Sequence, residues 1–115
     1  MKIGVVDYKA GNLRSVENLL RYLDADYIIS GRGEELIKCD KLLFPGVGEA
    51  SYAMNQLKSS GLDTMMREFC KSGKHIFGIC LGCQIILEHS EEGDVDCLGL
   101  IPGKVRKFPS GGLKV

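Results

Sequence analysis

The stretch His75-Ile76-Phe77-Gly78-Ile79-Cys80-Leu81-Gly82-Cys83-Gln84 reads as an apolar strand running into a cysteine framed by glycines two residues before and two after. This is the thiol counterpart of the Gly-x-Ser-x-Gly nucleophile elbow, a tight strand-to-helix turn that lifts one side chain out of the backbone at the end of a sheet. So sharp a turn brings the following helix close to the preceding strand, and side chains at the flanking positions would collide; glycine removes them. A helix start behind the sulfur also favours a thiolate over a thiol. Cys80 is therefore the candidate nucleophile. Cys39, Cys70 and Cys97 have no comparable frame and read as small buried hydrophobes.

Outward from the elbow, strands and helices alternate. Lys2 to Asp7 is a buried strand; Gly11 and Asn12 break it, with Asn12 placed as an N-cap, and Leu13, Val16, Leu20 and Leu23 follow at helical spacing. Tyr27-Ile28-Ile29 is a second strand, Glu34 to Lys38 a short helical stretch, and Lys41 to Phe44 a third strand ended by Pro45-Gly46. Tyr52 to Ser59 and Leu62 to Lys71 are helices separated by Gly61, and His75 to Ile79 is the fourth strand. Gln84 to Glu88 continues the helix behind the elbow, and Leu98 to Phe108 is extended but broken at Pro102-Gly103. This rhythm predicts an α/β fold: a doubly wound, mostly parallel sheet with helices on both faces, the 115 residues forming part of one domain.

Composition narrows the function classes. A chain of 115 residues buries roughly two-thirds of its unfolded surface and holds one real core. Fifteen basic and fifteen acidic side chains cancel, so no bulk field steers the chain to nucleic acid or membrane. Met1 to Val6 is too short an apolar run for a signal peptide or a spanning helix. Five cysteines without framework spacing fit a reducing compartment, so a cytoplasmic location is expected, with no metal and no cofactor.

In such sheets ligands bind beyond the carboxyl ends of the strands, where three loops converge: Asp7 to Asn12, Pro45 to Ser51, and the elbow. Gly46-Val47-Gly48 lacks the Gly-Lys-Ser/Thr of a P-loop, and Ser51 stands where a dinucleotide fingerprint wants its third glycine. Small residues beside a nucleophile suit an oxyanion hole better, with the N–H of Leu81 as the second donor.

Asp7-Tyr8-x-x-Gly11-Asn12-Leu13-x-Ser15-Val16, Pro45-Gly46-Val47-Gly48 followed by Ala53-Met54, and Gly78-Ile79-Cys80-Leu81-Gly82-x-Gln84 together resemble the glutamine amidotransferase subunits of imidazole glycerol phosphate synthases, a branch of the class I glutamine amidotransferases. The elbow alone indicates only the wider class; the other two motifs narrow it. The resemblance implies hydrolysis of glutamine to glutamate and ammonia by a Cys-His-Glu triad, the ammonia passing to a separate (β/α)₈ cyclase subunit in histidine biosynthesis. By the same resemblance Cys80 is the nucleophile, Gly46, Val47 and Leu81 form the oxyanion hole, Gly48 and Gln84 line the glutamine pocket, and the loop at Asn12 faces the cyclase. The plain alternatives are a solvated helix residue for Gln84 and a simple cap for Asn12.

Cys83 departs from the pattern, since relatives carry methionine or another apolar residue there. Cys80-Leu81-Gly82-Cys83 has the spacing of a thioredoxin-type motif, so a thiol-disulfide oxidoreductase is the rival enzyme. A non-catalytic pseudo-amidotransferase domain that binds a partner is the third possibility, and a His-x-Glu segment encoded in frame beyond Val115 would exclude it. Lys104, Arg106, Lys107 and Lys114 read as protection of an exposed sheet edge.

The base is the larger difficulty. Cysteine catalysis of this kind needs an imidazole within hydrogen-bond reach, and the chain holds only His75 and His89. At ~3.3 Å per residue His75 lies roughly 16 Å up the strand. His89 falls roughly 13 Å along an unbroken helix. The resemblance places the family's His and Glu in a C-terminal segment, so the chain, which stops at Leu113-Lys114-Val115, is expected to be the N-terminal part of a longer protein, with apolar sheet surface left uncovered. Purified alone, it is expected to show little glutaminase activity; turnover at an ordinary enzymatic rate would return His89 to contention as the base. Cys83→Ser separates the rivals, because it abolishes dithiol redox chemistry and leaves chemistry at Cys80 intact.

Overall fold

The structure, a computed structural model, describes residues 1–109. Four short apolar segments form its main sheet: β1 (Ile3–Val6), β2 (Tyr27–Ser30), β3 (Lys41–Gly46) and β4 (His75–Cys80), all parallel and ordered β2-β1-β3-β4. Parallel neighbours need crossovers, and these are α1 (Leu13–Tyr22), α2 (Gly33–Leu36), and the pair α3 (Ala50–Ser60) and α4 (Leu62–Lys71). Gly61 parts the last two at φ 76°, a left-handed turn with open space around it. Beyond the elbow, α5 (Leu81–Ile85) leads into a small second sheet of β5 (His89–Ser90), β6 (Val95–Asp96) and β7 (Lys104–Val105), ordered β6-β5-β7.

The core lies on one face of the main sheet. Val6, Leu42 and Phe44 from the strands meet Leu36 of α2, Ala53, Met54 and Leu57 of α3, Leu62, Met66 and Phe69 of α4, and Ile85 of α5 in a single buried cluster. Gly4 shares this face because a side chain there would strike Leu36, Cys39 and Leu42 at 2.9 Å. The alternation of a strand sends Val5 the other way, where it and Leu20 of α1 are buried outside that cluster. On this second face α1 covers the β1 side, while Leu43, Phe77, Ile3 and Met1 line an open apolar groove of about 560 Å³. Phe77 is 65% exposed. Apolar surface is thus uncovered on this face, and among the described residues β4 has no strand on its outer side.

Several boundaries differ from the sequence expectation. β3 runs on through Pro45-Gly46 because it stays paired with β4 to Gly46 and Cys80, while its pairing with β1 ends at Leu43. Pro45 thus has a strand neighbour on one side only, where a missing N–H is tolerated. The helix behind the elbow ends at Ile85 instead of continuing to Glu88. Leu98 and Leu100 donate their N–H groups to the carbonyls of Ile85 and Ile86 at 2.9 and 2.8 Å, which satisfies the helix end and turns the chain into the small sheet. The expected extended run from Leu98 to Phe108 is reduced to Lys104–Val105, an end strand of that sheet. Cys39 and Cys97 are buried as expected, but Cys70 is exposed on α4. Lys114 and the Leu113-Lys114-Val115 terminus lie outside the described residues. Among the described residues no helix is long and apolar enough to cross a membrane.

Phe77→Ser is expected to lower the binding of a hydrophobic dye while shifting stability by no more than about 0.5 kcal/mol, since the ring is mostly in solvent. Equal dye fluorescence from both proteins would mean that this groove is not what the dye senses.

Candidate active site

The strand order reverses direction between β1 and β3, and loops from the carboxyl ends of both strands flank that point. Tyr8, directly after β1, is buried, and its hydroxyl donates to the Pro45 carbonyl at 2.7 Å. Its ring leans on Phe44 with centroids 5.0 Å apart. A side chain on Gly46 would collide with the Tyr8 hydroxyl, so the glycine makes room for this strut. Burial pushes the Tyr8 phenol well above its ordinary pKa, which keeps it a protonated donor at any physiological pH. The Val47 N–H donates to the Ala10 carbonyl at 3.1 Å, tying the two loops together a second time.

The elbow stands beside them. Cys80 precedes the first turn of α5 with φ 55° and ψ −120°, a backbone conformation that a non-glycine residue holds only when its surroundings impose it. The surroundings are visible. A side chain on Gly82 would run into the Phe44 carbonyl, and one on Gly78 would lie 2.7 Å from the Cys83 Cα. Both glycines are thus required by close backbone approach, and the sulfur they frame is exposed.

A cavity of about 380 Å³ opens at Cys80, lined by Gly46, Val47 and Gly48 from one loop, by Leu81 and Gln84 from α5, and by Glu92. Six residues named from the sequence therefore share one pocket. Gly48 has φ 92° with open space where a side chain would go, so the backbone conformation is what favours glycine there. Leu81 is the first residue of α5, where N–H groups lack intrahelical partners. Asn12 occupies the N-cap position of α1 but makes no capping hydrogen bond, and its side chain is exposed outside this lining. Cys83 does not line the cavity either. The larger apolar groove around Phe77 draws on the amino ends of the strands, away from this chemistry.

Glu92 was not singled out from the sequence. It sits in the turn joining β5 and β6, close to α3: a side chain on Gly93 would meet Ser51 at 3.7 Å. The signal was the turn-forming run Glu91-Glu92-Gly93-Asp94 after a helix that ends early. The same turn relocates His89. Instead of lying at the far end of a long helix it lies on β5, its Nδ1 2.8 Å from an Asp96 carboxylate oxygen and its Nε2 3.0 Å from one of Asp94. Both ring nitrogens are occupied by carboxylates, which raises its pKa, the Asp96 hydrogen bond contributing most. His75 is exposed at the amino end of β4, the opposite end of the strand from Cys80. Neither imidazole is arranged as a base for the sulfur. Among the described residues no group of His, Cys, Asp and Glu is placed to hold a metal.

A parallel sheet of this order with a cysteine elbow at its carboxyl edge defines a doubly wound α/β domain that presents an exposed thiol where such sheets bind ligands. Comparison with known proteins agrees. Residues 2–107 match the model of a family described as the CobB/CobQ-like glutamine amidotransferase domain, and the chain belongs to that family. A crystal structure of a glutamine amidotransferase shares the fold with a TM-score of 0.79 at 21% identity, over 96% of this chain and 58% of that one. The chain is also similar to the imidazole glycerol phosphate synthase subunit HisH of Bacteroides thetaiotaomicron, 46% identical over 94% of this chain and 54% of the relative. It is 43% identical to the HisH of Bacillus cereus, over 92% of this chain and 51% of that protein. It thus spans about half the length of these curated relatives.

Tyr8→Phe deletes the strut to Pro45 and leaves a buried carbonyl without its partner. It is expected to cost about 1–3 kcal/mol of stability, read as a lower midpoint in urea denaturation. An unchanged midpoint would mean that the loop does not depend on this bond.

Proposed function

We propose that this chain carries the nucleophile half of a glutaminase, the glutamine-hydrolysing subunit of an imidazole glycerol phosphate synthase in histidine biosynthesis. The observation that supports it most is the pocket itself, in which an exposed, conformationally imposed Cys80 shares a lining with Gln84 and Glu92 beyond the carboxyl ends of β3 and β4. Glutamine fits that chemistry. Its carboxamide would lie against the sulfur, and its α-ammonium would pair with the Glu92 carboxylate, a charge-assisted contact. The Cys80 thiolate would add to the amide carbon, with the developing oxyanion received by the N–H of Leu81 and by the Gly46-Val47 segment. Collapse would expel ammonia and leave a thioester on Cys80, which water would hydrolyse to glutamate.

Two features explain why the chain by itself would be slow. Among the described residues no imidazole is arranged to take the thiol proton or to protonate the leaving ammonia, so that role would fall to a group outside them. The Val47 N–H is also engaged by the Ala10 carbonyl and would have to be released before it could serve an oxyanion. The loop at Asn12 adjoins that bond, so a cyclase subunit docked there would be placed to trigger the release and receive the ammonia.

The test is labelling of Cys80 by a chloroketone analogue of glutamine, in which sulfur displaces chloride. One equivalent is expected to add at Cys80, glutamine is expected to protect, and Cys80→Ser is expected to abolish the reaction. Glu92→Gln is expected to weaken protection about ten- to hundredfold, the range of a hydrogen bond to a charged group. Labelling spread over Cys70 and Cys83 without protection by glutamine would overturn the assignment.

A further inference from the structure

Glu92 reaches the pocket only because the turn from Glu91 to Asp94 is held in place, and the means of holding it are unusual. Asp94 adopts φ 48°, a left-handed conformation that aspartate tolerates but does not prefer, directly after Gly93 at φ 83°. The backbone bond across the turn, from the Asp94 N–H to the Glu91 carbonyl, is long at 3.4 Å. Backbone bonds hold the base of the turn, from the Glu91 N–H to the Val105 carbonyl at 2.9 Å and from the Cys97 N–H to the Glu88 carbonyl at 2.8 Å, and polar side chains hold its tip. The buried Ser90 hydroxyl accepts the Glu92 N–H at 3.2 Å, and the His89 ring reaches Asp94 at 3.0 Å and Asp96 at 2.8 Å. His89 is thus the one side chain that ties the far limb of the turn to the strand from which it springs.

We propose that His89 is a positioning residue: its ring clamps Asp94 and Asp96, and through that turn holds the Glu92 carboxylate over the pocket of Cys80. The clamp rests on the glutaminase reading given above, and it adds a pH dependence to it. Only the imidazolium donates from both nitrogens, so only the charged form satisfies both carboxylates. The neutral ring turns a lone pair toward one of them and lets that limb go.

The charged groups around the ring are few. Asp94 and Asp96 come from the turn and β6, Lys104 is the register partner of His89 on β7, Glu88 and Glu91 flank it along its own segment, and α5 brings none. Desolvation opposes protonation, but the hydrogen bonds and charges of the two carboxylates, that of Asp96 first, prevail and the pKa of His89 lies above its ordinary value. A raised pKa fixes the sign. The clamp is fully present below the unfolded-state value of about 6.5 and is lost as pH rises through the folded-state value. Grip on an amino-acid ligand therefore weakens on the alkaline side.

The experiment uses the full chain carrying His75→Gln, so that a single imidazole titrates by NMR. Labelling of Cys80 by the glutamine chloroketone is divided by labelling with iodoacetamide at each pH, which cancels ionisation of the thiol. The pH is kept below the ionisation of the chloroketone's own amine. The ratio is expected to fall about twofold to fivefold as pH passes the measured His89 midpoint, the size that exposed ion pairs carry. In His89→Gln the ratio is expected to be low and flat. In His89→Arg, whose guanidinium stays charged and can fork to both aspartates, it is expected to be high and flat. A His89→Gln ratio that follows the wild-type course, or a wild-type preference indifferent to the His89 midpoint, overturns the clamp and leaves the glutaminase assignment standing. No preference for the chloroketone at any pH overturns both. Should His89→Gln fail to fold, the pH course in the parent and the flat profile of His89→Arg decide the matter.

Discussion

The close approach of α5 to the ends of β3 and β4 is the constraint from which the site follows. Gly82 lies against the Phe44 carbonyl and Gly78 against the backbone of Cys83, at distances where no side chain could intervene. With the helix seated so tightly on the strand ends, the linking residue has no ordinary conformation left, and Cys80 takes φ 55° and ψ −120°. Strain of this kind, worth about 1–3 kcal/mol, persists only where packing imposes it. Here Leu81 and Ile85 are buried in the main core, so burial of apolar surface by α5 offsets the strain at its own first turn. The exposed thiol is a consequence of that packing.

The neighbouring loops follow a similar logic with polar groups. Tyr8 is inserted under Pro45 with its hydroxyl on the carbonyl, and Gly46 is small because that hydroxyl occupies its side-chain space. This fixes the stem of the loop. Its tip is held more lightly, since Val47 is bound through one N–H to Ala10 and its side chain is 55% exposed. A rigid stem with a lightly tied tip can exchange one hydrogen-bond partner for another without disturbing the strand beneath it.

What the sequence made legible was whatever backbone geometry dictates locally. The elbow, the parallel strands and the helix from Leu62 to Lys71 follow from glycine spacing and hydrophobic period, and they stand where those signals put them. The errors arose where tertiary contacts decide. Nothing in Gln84 to Glu88 says that Leu98 and Leu100 will return to donate to the carbonyls at the end of the helix, yet those bonds stop α5 at Ile85. Once the helix stops, Glu92 is carried to the pocket and His89 is turned toward two aspartates, neither of which periodicity could reveal. Cys70 is a simpler case: without a frame it was read as buried by residue type alone, and its place on the outer side of α4 overrides that average.

The two faces of the sheet have unequal roles, which is why a half-covered sheet still presents an ordered site. Phe77 and Leu43 look toward the open groove, whereas Phe44, Leu81 and Ile85 belong to the closed core on the other side. The contacts that impose the Cys80 conformation come from the Phe44 carbonyl and from α5 itself, on the closed side of the sheet. Covering Phe77 would therefore add stability without having to shape the elbow. The conformation of Cys80 is set by the half of the architecture that is already closed.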